Sequence, residues 1–135
     1  MALSADRDTP ERSGVDFSFP VAAATKIYAG ALVCLNAAGN AVPGSVATTL
    51  IAVGRADEQV DNTGGAIGDK IVAVRKGVFR FNNSAAADAI TKALIGDSAY
   101  IVDDETVAGT SGTGTRSVAG KIVDVDADGV WVEIA

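Results

Sequence analysis

A chain of 135 residues is of single-domain size, with room for one core of its own and little for a second. Charged residues make 21%, hydrophobic ones 48% and aromatics 5%, so the core must be assembled from small and β-branched side chains, which suits sheet better than a helix bundle. A net charge of −6, with the basic residues scattered, disfavours binding to a phosphate backbone, and no apolar run reaches the length of a membrane span.

Residues 1–14 are polar, mixed in charge and without period, and read as an extended N-terminal arm ahead of one β-rich domain over 15–135. In Gly14 to Pro20, Val15, Phe17 and Phe19 alternate with Asp16 and Ser18, the mark of a short strand with one buried face and a proline stop. Lys26 to Leu35 and Ala41–Val42 read as two strands around the turn 36–40, and Thr49 to Ala56 as another. Cys34 lies in the apolar run 31–35, where an inert buried thiol is expected; a single cysteine makes no internal disulfide. The loop 61–65 punctuates the chain, and Asp69 to Phe81 carries the longest strand signal, with Gly77 marking a bulge or bend.

Ser84 is placed to cap a short α-helix over about 84–95, because Ala86, Ala89, Ile90, Ala93 and Leu94 follow helical spacing and Gly96 supplies a stop. Tyr100 to Val102 is a further strand, and 109–115 a flexible Gly/Thr/Ser loop. The expected fold is therefore mainly β: a small single-domain β-barrel or β-sandwich-like fold with one short α-helix and an extended arm.

Near the end of the chain, Asp124, Asp126, Asp128 and Gly129 match the first half of a calcium-binding loop, which alternates oxygen ligands, bends at a glycine and closes on a bidentate glutamate. The closing position falls on Ala135, and Glu133 comes too early. Two β-branched runs, 121–126 and 130–135, flank the stretch, which instead reads as a hairpin with Asp128 and Gly129 as its turn residues. On that reading Gly129 is critical, while Asp124 and Asp126 are replaceable.

Catalytic constellations are mostly excluded. Without histidine there is no Ser-His-Asp or Cys-His arrangement and no histidine metal site, and the adjacent acids Asp57–Glu58 and 103–105 read as solvated turns rather than a carboxylate pair across a cleft. The glycines of 109–114 have phosphate-loop spacing, but Thr115 stands where the lysine belongs and a β-branched run follows in place of a helix. No enzyme, cofactor or metal is expected.

The ordered set formed by 14–20, 29–33, 54–58 with 61–62, 77–81, 95–104, 119–124 and 129–132 resembles the small capsid decoration, or cement, proteins of tailed bacteriophages, over nearly the whole chain. The resemblance implies a β-rich virion structural protein, made in the host bacterial cytoplasm, commonly a homotrimer, bound to the outer surface of the head where major capsid subunits meet. Val15, Phe17 and Phe19 are then the candidate capsid contacts, able to add a strand to a capsid edge. Two other readings stand beside it: a phage tail or fibre module recognising carbohydrate, for which Tyr28, Tyr100 and Trp131 are the available polar aromatics, and nucleotide binding through the 109–115 loop.

Overall fold

The computed structural model describes residues 2–135; Met1, the first residue of the expected arm, lies outside them. The strands are β1 (Asp16–Pro20), β2 (Thr25–Ile27), β3 (Leu32–Leu35), β4 (Ala41–Pro43), β5 (Ile51–Ala56), β6 (Val60–Asn62), β7 (Ile71–Arg75), β8 (Gly77–Phe81), β9 (Ser98–Ile101), β10 (Val107–Ala108), β11 (Val118–Asp126) and β12 (Gly129–Ile134). They form one sheet in the order β1-β7-β5-β3-β4, a second in the order β10-β9-β11-β12-β8, and a ribbon of β2 with β6. The fold is mainly β, as the composition predicts. It is an open sandwich rather than a closed barrel, since the two five-stranded sheets share no strand pairing.

The first sheet is buried on both faces where β3 crosses it. Leu32 and Cys34 point into one apolar cluster with Ile101, Ile122, Val130 and Val132 of the second sheet, while Val33 and Leu35 join another with Ile27, Val60, Val72 and Val74 under the β2–β6 ribbon. Strict alternation thus serves two cores, and this explains why 31–35 reads as a continuous apolar run. Cys34 is fully buried and its thiol is pushed up to about 12 by desolvation, the inert state expected of it.

Two strand readings are refined. The run from Lys26 to Leu35 is two strands of different sheets, β2 and β3, broken at Gly30, which has φ +84° and donates its N–H to the Ala56 carbonyl at 2.9 Å. Likewise β7 and β8 lie in different sheets, and the chain crosses between them at Lys76–Gly77.

The α-helix expected over 84–95 is not formed. Only two single 3₁₀ turns occur there, Ala86–Asp88 and Lys92–Leu94. Ala86 sits at φ +54°, which no α-helix admits, and both Ala85 and Thr91 are extended. The Asn83 amide takes over the helix's bonds: its Oδ1 accepts the N–H groups of Ser84 and Ile90 and its Nδ2 donates to the Ile90 carbonyl, each at 2.8 Å. Ser84 caps nothing; its hydroxyl donates to the Val107 carbonyl at 2.8 Å.

The loop 109–115 is bonded throughout. Arg116 donates from both terminal nitrogens to the Asp88 carboxylate at 3.2 Å and to the Thr110 carbonyl at 3.1 Å, and the Thr110 hydroxyl donates to Asp88 at 2.5 Å. Arg116 and Thr110 hold the Asp88 carboxyl below its ordinary value. This stability is fully present above the unfolded-state pKa of about 3.9 and is lost as pH falls through the folded value. Hydrogen-exchange protection of 109–116 is therefore expected to fall as the pH drops below about 4, while that of β3 and β5 persists. Asp88→Asn should show the reduced protection already at neutral pH; full protection in that variant would refute the link.

Candidate functional site

The most distinctive surface is the edge formed by β1 and the segment before it. Residues 2–14 contain no strand and are exposed along their whole length. They lead into β1, the last strand of its sheet, whose only strand partner among the described residues is β7, in the register Phe17 to Val74 and Phe19 to Val72. Lys76 donates its N–H to the Val15 carbonyl at 2.8 Å and Val21 its N–H to the Lys70 carbonyl at 2.9 Å, so odd-numbered residues bond inward to β7. The backbone groups of Asp16, Ser18 and Pro20 consequently face outward. Because Pro20 has no N–H, the outer edge offers amide donors only at Asp16 and Ser18.

Of the three predicted contact residues, Val15 is exposed, but Phe17 and Phe19 are half-buried in the protein's own second cluster. Their rings stack at 6.4 Å, and the Arg12 guanidinium and Lys76 ammonium lie 4.7 and 5.1 Å from the centre of the Phe17 ring. This segment is already a strand of the molecule, and donating it elsewhere would require detaching it from β7. Beside it lies an open cleft of about 380 Å³ lined by Arg12, Asp16, Ser18, Asp57 and Ala73.

The terminal turn is the hairpin that the sequence predicts, with Asp126 paired to Gly129 across Ala127–Asp128. Gly129, at φ +155°, is packed so that a Cβ would strike the Phe81 carbonyl oxygen of β8. The expectation that Asp126 is replaceable is corrected. Its Oδ1 accepts the N–H groups of Asp128 at 2.8 Å and Gly129 at 3.1 Å, and its Oδ2 accepts the Trp131 indole N–H at 2.9 Å. Led by the Trp131 bond, these hold its carboxyl below the usual range.

Asp124 instead faces Lys92 at 3.5 Å, and Asp128 faces Arg80 at 3.8 Å. The three carboxylates turn to different partners, and among the described residues no group of three or more acidic, cysteine or histidine side chains is placed to hold a metal ion. Asp126→Ala is expected to lower the stability of the fold, because three donors lose their acceptor. Asp126→Asn, which keeps an amide oxygen for the two backbone donors, should lose less. Urea unfolding of both variants measures the difference, and equal losses would contradict this account.

Two further hollows were not anticipated. An open cleft of about 510 Å³ separates the sheets at Leu50, Ile51, Val118 and Ile134. At its base Ser117 ties them together, donating to the Ala47 carbonyl at 2.6 Å and accepting the Leu50 N–H at 3.1 Å. A smaller hollow of about 230 Å³ has Tyr28, 56% exposed, beside Asp104 and Glu105. No pattern in the sequence joins residues so far apart. Among the described residues no helix is long and apolar enough to cross a membrane. Comparison with protein-family models, curated proteins and solved structures finds no match to this chain.

Proposed function

We propose that this chain is a capsid decoration protein of a tailed bacteriophage, binding the outer surface of the head and stabilising contacts between major capsid subunits. The observation that carries the reading is the exposed segment 2–14 running into an edge strand with outward backbone groups at Asp16 and Ser18. An edge of this kind suits attachment to another protein by strand pairing, with the preceding segment ordered against the partner. The sequence resemblance to cement proteins points the same way, and the acidic surface suits a position outside the DNA-filled shell. Assembly as a homotrimer multiplies a modest contact, since linked sites gain effective concentration without new contacts.

Purified heads stripped of decoration provide the test. The full chain is expected to sediment with them and to appear on the outer surface in electron-microscopic density, and deletion of 2–11, which spares Arg12 over the Phe17 ring, should abolish binding while leaving the melting curve unchanged. Failure of the full chain to bind heads, or density on the tail alone, would overturn the reading.

The exposed Tyr28, with Asp104 and Glu105 beside it, favours a second reading as a carbohydrate-recognising tail or fibre module, in which the ring stacks on a sugar and the carboxylates accept its hydroxyls. Saccharide binding lost in Tyr28→Ala but retained without 2–11 would establish it in place of the first.

A further inference from the structure

We propose that Asp128 is a site of isoaspartate formation that the folded turn suppresses, with Asp126 as the residue that guards it. An Asp-Gly bond is chemically weak because the glycine, lacking a side chain, leaves its amide nitrogen free to approach the preceding carboxyl. That nitrogen, in Gly129, attacks Cγ of Asp128. With the carboxyl in its protonated form, the N–Cγ bond forms, the carboxyl's hydroxyl leaves as water after taking up the amide proton, and a five-membered succinimide results. Water then opens the ring at either carbonyl, regenerating aspartate or leaving the chain running through the side chain as isoaspartate. Water is the only co-reactant, and nothing is oxidised or reduced.

The Asp128 side chain is 76% exposed, so solvent reaches the carboxyl, which sits opposite Arg80 at 3.8 Å. What resists reaction lies on the nitrogen side. The Gly129 N–H is held by Asp126 Oδ1 at 3.1 Å, the same oxygen holds the Asp128 N–H at 2.8 Å, and Gly129 is packed against the Phe81 carbonyl. Closing the ring requires the Gly129 amide to give up its proton and swing toward Cγ, which breaks the first bond and disturbs the packing. The reaction thus proceeds from a locally opened turn, and its rate follows the population of that opening. Conversion inserts an extra backbone carbon between Ala127 and Gly129, which shifts the register of β12 against both β11 and β8.

Incubation of the full chain at mildly acidic pH, which supplies the protonated carboxyl that ring closure consumes, followed by peptide mapping and methylation with an isoaspartyl methyltransferase, measures the product at Asp128. The folded protein is expected to accumulate it about tenfold or more slowly than the same chain in urea. Asp126→Ala should approach the urea rate, whereas Asp126→Asn, retaining an oxygen for both amides, should stay near the wild-type rate. Since Asp126→Ala also lowers the stability of the fold, hydrogen exchange of β3 serves as the control: isomerisation accelerated beyond the change in β3 exchange supports local guarding. Equal rates in folded and urea-treated wild type, equal rates in wild type and Asp126→Ala, or acceleration only in step with β3 exchange would overturn the proposal.

Discussion

Gly129→Val is expected to lower stability by about 3–5 kcal/mol, a fall of roughly 10–20 °C in melting temperature. Two effects combine. The backbone at φ +155° is one that a β-branched residue rarely adopts, and the new Cβ would collide with the Phe81 carbonyl while lying 3.0 Å from Arg80 Cγ. Neither obstacle is the free end of a flexible side chain, and β12 is held between β11 and β8, so relief in one direction breaks pairing in the other. Gly14→Ala makes the control, because nothing lies within 4 Å of a Cβ built there. A melting temperature for Gly129→Val within a few degrees of that control would show that the hairpin yields more easily than its packing implies.

A change of one atom at Asn62 is expected to do comparable damage. Asn62 is 2% exposed, and its amide nitrogen donates to the carbonyls of Ala22 and Ala66 at 3.0 Å, with a longer contact to Val21 at 3.5 Å. Its Oδ1 has no N–H or O–H partner among the described residues and lies against Gly65, where a Cβ would overlap it. In Asn62→Asp the donor becomes an anionic acceptor facing carbonyl oxygens, and about 3–5 kcal/mol should be lost at neutral pH. The sign of the pH dependence follows. Burial among acceptors raises the introduced carboxyl's folded pKa, so the penalty is greatest above that value and shrinks as protonation restores one O–H donor. Urea unfolding at pH 7 and pH 5 should therefore show partial recovery in acid for Asn62→Asp but none for Asn62→Leu. A loss for Asn62→Asp that does not change with pH would sink this account.

These two sites divide what was legible in the sequence from what was not. Gly129 was visible because its signal is local: β-branched runs on either side of an Asp-Gly pair define a hairpin whatever the rest of the chain does. The alternation in β1 and β12 was readable for the same reason, since a two-residue period reports one buried face. Asn62 left no such trace. Its carbonyl partners at positions 21 and 22 come from far earlier in the chain, and composition marks it only as a loop residue.

The helix reading of 84–95 failed where local and tertiary preferences part. Alanine spacing favours a helix, yet the Asn83 side chain satisfies the backbone of Ser84 and Ile90 and leaves the segment folded over the first cluster through Ile90. Asp126 shows the same limit within the correctly predicted hairpin: the turn was legible, but not the side chain that closes it. The candidate surface was legible in part. The arm and the β1 pattern could be read, but the pairing with β7, which commits Phe17 and Phe19 inward, could not.

Pro20 also bears on how the free protein behaves when concentrated. Two copies meeting along their β1 edges would each contribute only the amides of Asp16 and Ser18, with the Asp16 charges brought close. Even if all four amides find acceptors, hydrogen bonds of about 1 kcal/mol apiece only match the lower bound, roughly 4 kcal/mol, of the freedom lost on association, and the Asp16 repulsion is left uncompensated. Edge-to-edge polymerisation, the ordinary route from an exposed strand to a fibre, is thereby discouraged. The outer edge of β1 therefore favours a pairing that adds side-chain contacts over one made by backbone alone.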